Sequence, residues 1–205
     1  MIPRLIAITD RNVADSERTL ERFGELGRLA QPGSVMFQLR DVDRPARERL
    51  AFGRALHRIA HEAGQLFVVN DRLDIAVLLG ADGVHLGEAG IQTADARRLL
   101  APNALVTRAC HDIECLASLE ADAILLSPIV EGRKGRPPLG LEGLGLARRI
   151  LDRRPCAPYL VALGGVSAEN ARACRAAGAD GIALIGGVFA GASLRELVDA
   201  AGVGR

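Results

Sequence analysis

The chain has 205 residues, and its 26 basic and 25 acidic side chains nearly cancel to a formal net charge of +1. That balance excludes the one-signed field by which a protein attracts nucleic acid or an acidic membrane surface. Hydrophobic residues make up 49% but aromatic ones only 3%, with no Trp, so the expected core is aliphatic, as where helices pack closely on strands. No apolar stretch approaches the length of a membrane span, and no basic-then-apolar leader opens the sequence, so a cytoplasmic protein is expected. Cys110, Cys115, Cys156 and Cys174 lack CxxC spacing and read as free thiols of a reducing compartment.

In chain order, short apolar runs fall at 5–8, 35–39, 66–69, 83–86, 104–106, 123–126, 159–163 and 181–185. Segments with helical spacing lie between them, for example 46–63 and 168–177. Gly64, Gly80 and Gly178 stand where a helix would stop in left-handed backbone. Continuous apolar runs separated by helices indicate parallel strands buried on both faces. Eight such units without a linker predict an α/β fold, a (β/α)8 barrel spanning 1–205 as one domain. A doubly wound open sheet is the alternative.

In a barrel, ligands meet the chain where strands end and the following loops begin. Two such points carry paired glycines, "ALGGVS" (162–167) and "ALIGGVF" (183–189). Missing side chains let backbone approach a ligand, and loops after strands seven and eight are the usual phosphate site of such barrels. In "FQLRD" (37–41), Gln38 and Arg40 share one face by the period of two, and Arg40 suits bidentate contact with a diphosphate. Asp71, after Asn70, reads either as a Mg²⁺ ligand or as the N-cap of a helix over 72–79. His111, in "RACHD", follows the fifth strand, where an imidazole can serve as acid or base near neutral pH. His85 is expected inside the barrel, without a role.

These motifs, with "AITD" (7–10), "NDRLDIA" (70–76), "GADGVHLGE" (80–88), "SPIVEGRKGRPPLGLEGL" (127–144), "ALGGVSAEN" (162–170) and "AGADGIALIGGVF" (177–189), resemble those of the thiamine phosphate synthase and thiazole tautomerase family. The resemblance covers nearly the whole chain. It implies a barrel enzyme of thiamine biosynthesis that acts on small phosphorylated substrates and not on nucleic acid or membranes; a homo-oligomer is compatible with it. For a synthase it implies that a pyrimidine diphosphate loses pyrophosphate as a thiazole phosphate is alkylated. Gln38, Arg40 and Asn70 then match diphosphate contacts, Lys134 matches the substrate-binding lysine of the sixth loop, Arg40 and Lys134 count as catalytic, and Asp71 matches a Mg²⁺ ligand. Gly165, Ile185 and Gly186 match the thiazole phosphate site. The chain departs from the synthase pattern at Val42 (a lysine there), at Gly90 (a second metal carboxylate) and at Ala109 (a serine), and it lacks the threonines of the sixth loop. Glu88 is the candidate replacement ligand, and Arg133 or Arg136 the candidate replacement for the charge absent at Val42. For a tautomerase, which needs neither metal nor diphosphate, His111 matches the catalytic histidine. A third reading is a barrel that binds thiazole or thiamine phosphate without catalysis.

Overall fold

Eight short parallel strands pair in sequence order and close on themselves in the computed structural model, which describes residues 2–133, 135–190 and 193–205. They are β1 (Leu5–Ile8), β2 (Val35–Leu39), β3 (Leu66–Asn70), β4 (Gly83–Leu86), β5 (Leu105–Cys110), β6 (Ala123–Leu126), β7 (Tyr159–Ala162) and β8 (Gly181–Leu184). Closure rests on β1 pairing with β8, Leu5 opposite Ile182 and Ala7 opposite Leu184, which excludes the open doubly wound sheet. The helices are α1 (Ser16–Leu29), α2 (Ala46–Glu62), α3 (Leu73–Leu79), α4 (Thr93–Leu99), α5 (Gly140–Leu151), α6 (Ala168–Ala176) and α7 (Leu194–Ala201). Gly64, Gly80 and Gly178, expected to stop helices, all have positive φ (68°, 61° and 112°). Among the described residues no helix is long and apolar enough to cross a membrane.

Alternation along each strand divides the core in two. Leu5, Ala7, Val35, Phe37, Leu39 and Val69 face the helices. Ile6, Ile8, Met36, Val68, Leu125 and Val161 fill the barrel. Burial on both faces is why the strands read as unbroken apolar runs. The fifth strand is the exception. It runs beyond its apolar run to Cys110, so that His111 follows it as expected, and Thr107 and Arg108 interrupt the apolar pattern while remaining buried. The Arg108 guanidinium donates through Nη1 to the Ile91 carbonyl at 2.9 Å.

One device recurs at the base of the barrel. Asp82, Asp122 and Asp180 immediately precede β4, β6 and β8. Their carboxylates accept from the N–H of Phe67 (2.8 Å), Val106 (2.7 Å) and Leu160 (2.8 Å) on the preceding strand. Each saturates a backbone donor at a strand start and fixes the register of a pair. Gly83 completes one of these joints, since a Cβ there would lie 2.1 Å from the Leu105 carbonyl oxygen.

Candidate active site

The inward residues nearest the C-terminal ends of β2, β3 and β4 are polar: Gln38, Asn70 and His85. They floor a cavity of about 480 Å³ whose wall includes Asp10, Arg40, Asp71, Glu88 and His111. Gln38 Nε2 donates to Asn70 Oδ1 at 2.9 Å, and Asn70 Nδ2 donates to Asp71 Oδ2 at 2.8 Å. Gly87 N–H then donates to Asp71 Oδ1 at 2.7 Å. This chain of bonds ties three loops to one carboxylate. Arg49 of α2 supports it from behind, giving its Nη2 to the Asn70 carbonyl at 2.7 Å. Arg40 pairs with Asp10 through Nη2. Gln38 Oε1 and Arg40 Nε are buried without a hydrogen-bond partner among the described residues. A buried polar group left unpaired costs roughly 1–3 kcal/mol, so both atoms suit a bound ligand.

Asp71 is not the helix cap that one reading of the sequence allowed. The N-cap of α3 is Arg72, without a side-chain capping bond. Asp71 itself has φ 57°, the left-handed backbone that Asp and Asn adopt more readily than other non-glycine residues. That conformation turns its carboxylate into the cavity mouth. A Cβ at Gly90 would lie 3.3 Å from Asp71 Oδ1, so position 90 faces this carboxylate, yet here contributes no side chain.

Glu88 is directed elsewhere. Its carboxylate accepts from His111 N–H at 3.2 Å, contacts His111 Nδ1 at 3.0 Å and lies 3.5 Å from Arg136 Nη2. No group of three or more His, Cys, Asp or Glu is arranged to hold a metal among the described residues. Magnesium, however, is commonly bound by one or two carboxylates plus substrate phosphate oxygens. Asp71 fits that single-carboxylate mode.

Two histidines line the cavity in different states of tethering. His111 is held through Nδ1 by Glu88 and remains partly exposed. His85, inside the barrel as expected, bonds through Nδ1 to Thr107 Oγ1 at 2.9 Å. Burial pushes its imidazole down to about 4 from 6.5, with the nearby Asp71 charge opposing the shift. Unfolded chains protonate histidine near pH 6.5, so between about pH 6.5 and 4 the unfolded state binds more protons. Stability is therefore lost as pH falls through that window, by about 3 kcal/mol once below it. Urea midpoints measured from pH 7 to pH 4 should fall in the parent and fall less steeply in His85→Asn. Parallel profiles in the two proteins would rule out His85 as the source.

A second cavity, of about 400 Å³, opens beside the 3-10 turn Gly186–Val188 and is lined by Gly164, Gly165, Ile185 and Gly186. Its glycines are not equivalent. A Cβ at Gly186 would meet no atom within 4 Å, so the space before it is open. Gly164 and Gly165 have φ 95° and 71°, and Cβ atoms there would strike Pro128 at 2.9 Å and Glu131 at 2.5 Å. That pair is required by packing against the β6 loop, a correction to the expectation that both glycine pairs clear room for a ligand. The turn is anchored from α1: Arg22 donates to the Val188 carbonyl through Nη2 (3.1 Å) and Nε (3.3 Å), and Phe23 stacks on Phe189 at 6.2 Å.

Of the sequence-derived candidates, Gln38, Arg40, Asn70, Asp71, Glu88 and His111 line the first cavity, Gly165 and Gly186 the second, and Ile185 both. Lys134 lies outside the described residues. Asp10, Arg49 and Arg22 were not singled out. Asp10 was legible as the end of "AITD", whereas the other two are helix arginines indistinguishable in sequence from a solvated face.

The family described as thiamine monophosphate synthase matches residues 5–188. Thiamine-phosphate synthase of Methanoculleus marisnigri is 38% identical over 188 residues, covering 86% of this chain and 88% of that protein. Its counterpart in Moorella thermoacetica is 36% identical, covering 81% and 83%. A solved thiamine phosphate pyrophosphorylase from Pyrococcus furiosus superposes with a TM-score of 0.77 at 29% identity, covering 97% of this chain and 95% of that one. A 3-hexulose-6-phosphate synthase, at 17% identity and TM-score 0.64 over 96% of this chain and 99% of that one, shares the fold alone. Over nearly its whole length, then, the chain belongs to the thiamine monophosphate synthase family.

Proposed function

We propose that the protein is a thiamine-phosphate synthase joining hydroxymethylpyrimidine diphosphate to a thiazole phosphate with loss of pyrophosphate. The observation that carries this reading is that the two cavities adjoin, sharing Leu163, Gly164 and Ile185 as a wall. A diphosphate held by Arg40 and Gln38 would put the pyrimidine methylene near that wall, and a phosphate at Gly186 would bring the thiazole to its other side. The C–O bond to the diphosphate breaks with its electron pair leaving on oxygen, and the thiazole nitrogen lone pair forms the new C–N bond. No proton needs to move, so the residues act by placing two reactants and stabilising departing charge. Mg²⁺, held by Asp71 with Asn70 orienting that carboxylate, would supply further neutralisation of the leaving group when bound.

A second reading, thiazole tautomerase, is favoured by one contact, His111 Nδ1 on Glu88 at 3.0 Å, which would orient a general base. Incubating purified protein with both synthase substrates and Mg²⁺ should yield thiamine phosphate, and a chelator should suppress it. His111→Ala should change that rate by less than tenfold, since positioning groups and not bases carry it. If the parent instead aromatises a thiazole carboxylate phosphate and His111→Ala costs roughly 10²- to 10⁴-fold, the tautomerase reading replaces the first. If neither reaction occurs, the barrel is a binding protein.

A further inference from the structure

The two adjoining cavities have unequal charge. Among the described residues, the charged ones lining the smaller cavity are Glu131 and Arg133. Glu131 packs directly against Gly165, within 2.5 Å of where a Cβ would stand. A phosphate dianion entering there needs a cation to offset its charge. Arg133 is the described lining residue that supplies one.

Arg133 also lines the larger cavity. There, Arg40 is paired with Asp10, and Arg136 with Glu88. Arg133 has no ion-pair partner among the described residues. Its backbone is fixed even though its side chain is exposed. Arg133 N–H donates to the Arg136 carbonyl and Arg136 N–H to the Arg133 carbonyl, both at 3.0 Å. Gly135, at φ 76°, allows the tight turn between them. Arg133 therefore lines both cavities from a fixed backbone, with none of its donors committed to a carboxylate among the described residues.

We propose that Arg133 is a shared cation, donating to the diphosphate of one substrate and to the phosphate of the other across the common wall. A guanidinium presents five N–H donors in a planar fork, enough for two anions at once. The proposal rests on the synthase reading, in which both anions are bound together. Sharing makes each substrate's affinity depend on the same side chain.

Steady-state kinetics of Arg133→Ala should show KM for both substrates raised about tenfold, with a smaller change in kcat. Arg133→Lys should recover part of each loss but not all, since an ammonium cannot form the same fork. Inorganic probes provide a test independent of turnover. Titration of the parent and Arg133→Ala with Mg²⁺-pyrophosphate by calorimetry, then with inorganic phosphate by ³¹P NMR, should show both anions weakened in the variant. A change in only one KM or one anion would assign Arg133 to a single cavity and overturn the sharing. No change in either would remove it from binding. If the parent makes no thiamine phosphate, the synthase reading fails on its own, and the two anion titrations still decide the role of Arg133.

Discussion

Asp71→Asn is expected to reduce turnover at saturating substrate by roughly 10²-fold or more, the scale for losing a carboxylate that would hold Mg²⁺ against the leaving group. Its melting temperature should stay within a few degrees of the parent. Asparagine adopts left-handed backbone as readily as aspartate, so the φ of 57° at this position is not penalised. Its amide oxygen can still accept from Gly87 N–H, as Asp71 Oδ1 does at 2.7 Å. What disappears is the charge and one acceptor, because the new amide nitrogen would face the Asn70 Nδ2 that now donates to Asp71 Oδ2 at 2.8 Å. Raising Mg²⁺ should recover part of the lost rate, because weakened affinity is offset by mass action. A fall in melting temperature with kinetics intact would instead make the carboxylate a structural clasp between the β3 and β4 loops.

Gly186→Asp is the second large effect, expected to cut affinity for the thiazole phosphate by about 100-fold through repulsion at close range in a partly enclosed site. The substitution is well suited to the test because a Cβ there meets no atom within 4 Å. It introduces charge where a phosphate would sit without disturbing the barrel. Gly165→Ala would not test the same thing. It would strain a φ of 71° and press on Glu131, so lost binding could not be separated from lost structure. If folded Gly186→Asp bound thiazole phosphate as tightly as the parent by calorimetry, the monophosphate site lies elsewhere.

The barrel was legible because a parallel sheet buried on both faces leaves the simplest trace a strand can leave, a short unbroken apolar run. The same trace is shorter than the strand at β5, where Thr107 is the inward partner of His85 and Arg108 reaches back to the β4 loop. Polar residues satisfied inside a fold look from sequence like residues outside it. At the site, period two was enough to put Gln38 beside Arg40, and both line the cavity. Whether Asp71 capped a helix or faced the mouth was not legible, because the decision lies in one dihedral angle. Nor could adjacent glycines reveal that one pair admits the β6 loop while Gly186 faces open space. That distinction depends on Pro128 and Glu131, more than thirty residues upstream of the first pair.

The clasp of Arg22 on the Val188 carbonyl joins residues 166 positions apart in the chain. It connects the first helix to the turn that follows the last strand, across the seam where β1 meets β8. The cavity beside this turn is lined by residues of the last third of the chain, but its turn is anchored only once the first helix is in place. On a ribosome or during refolding that anchoring would be among the last contacts to form, since it needs the two ends of the chain to meet. A phosphate ester that recognises this turn would then act as a lock on the seam, stabilising the closed ring against opening at its first and last units. Hydrogen exchange in β1 and β8 should accordingly slow on binding that ester more than exchange in β4 and β5, on the far side of the ring.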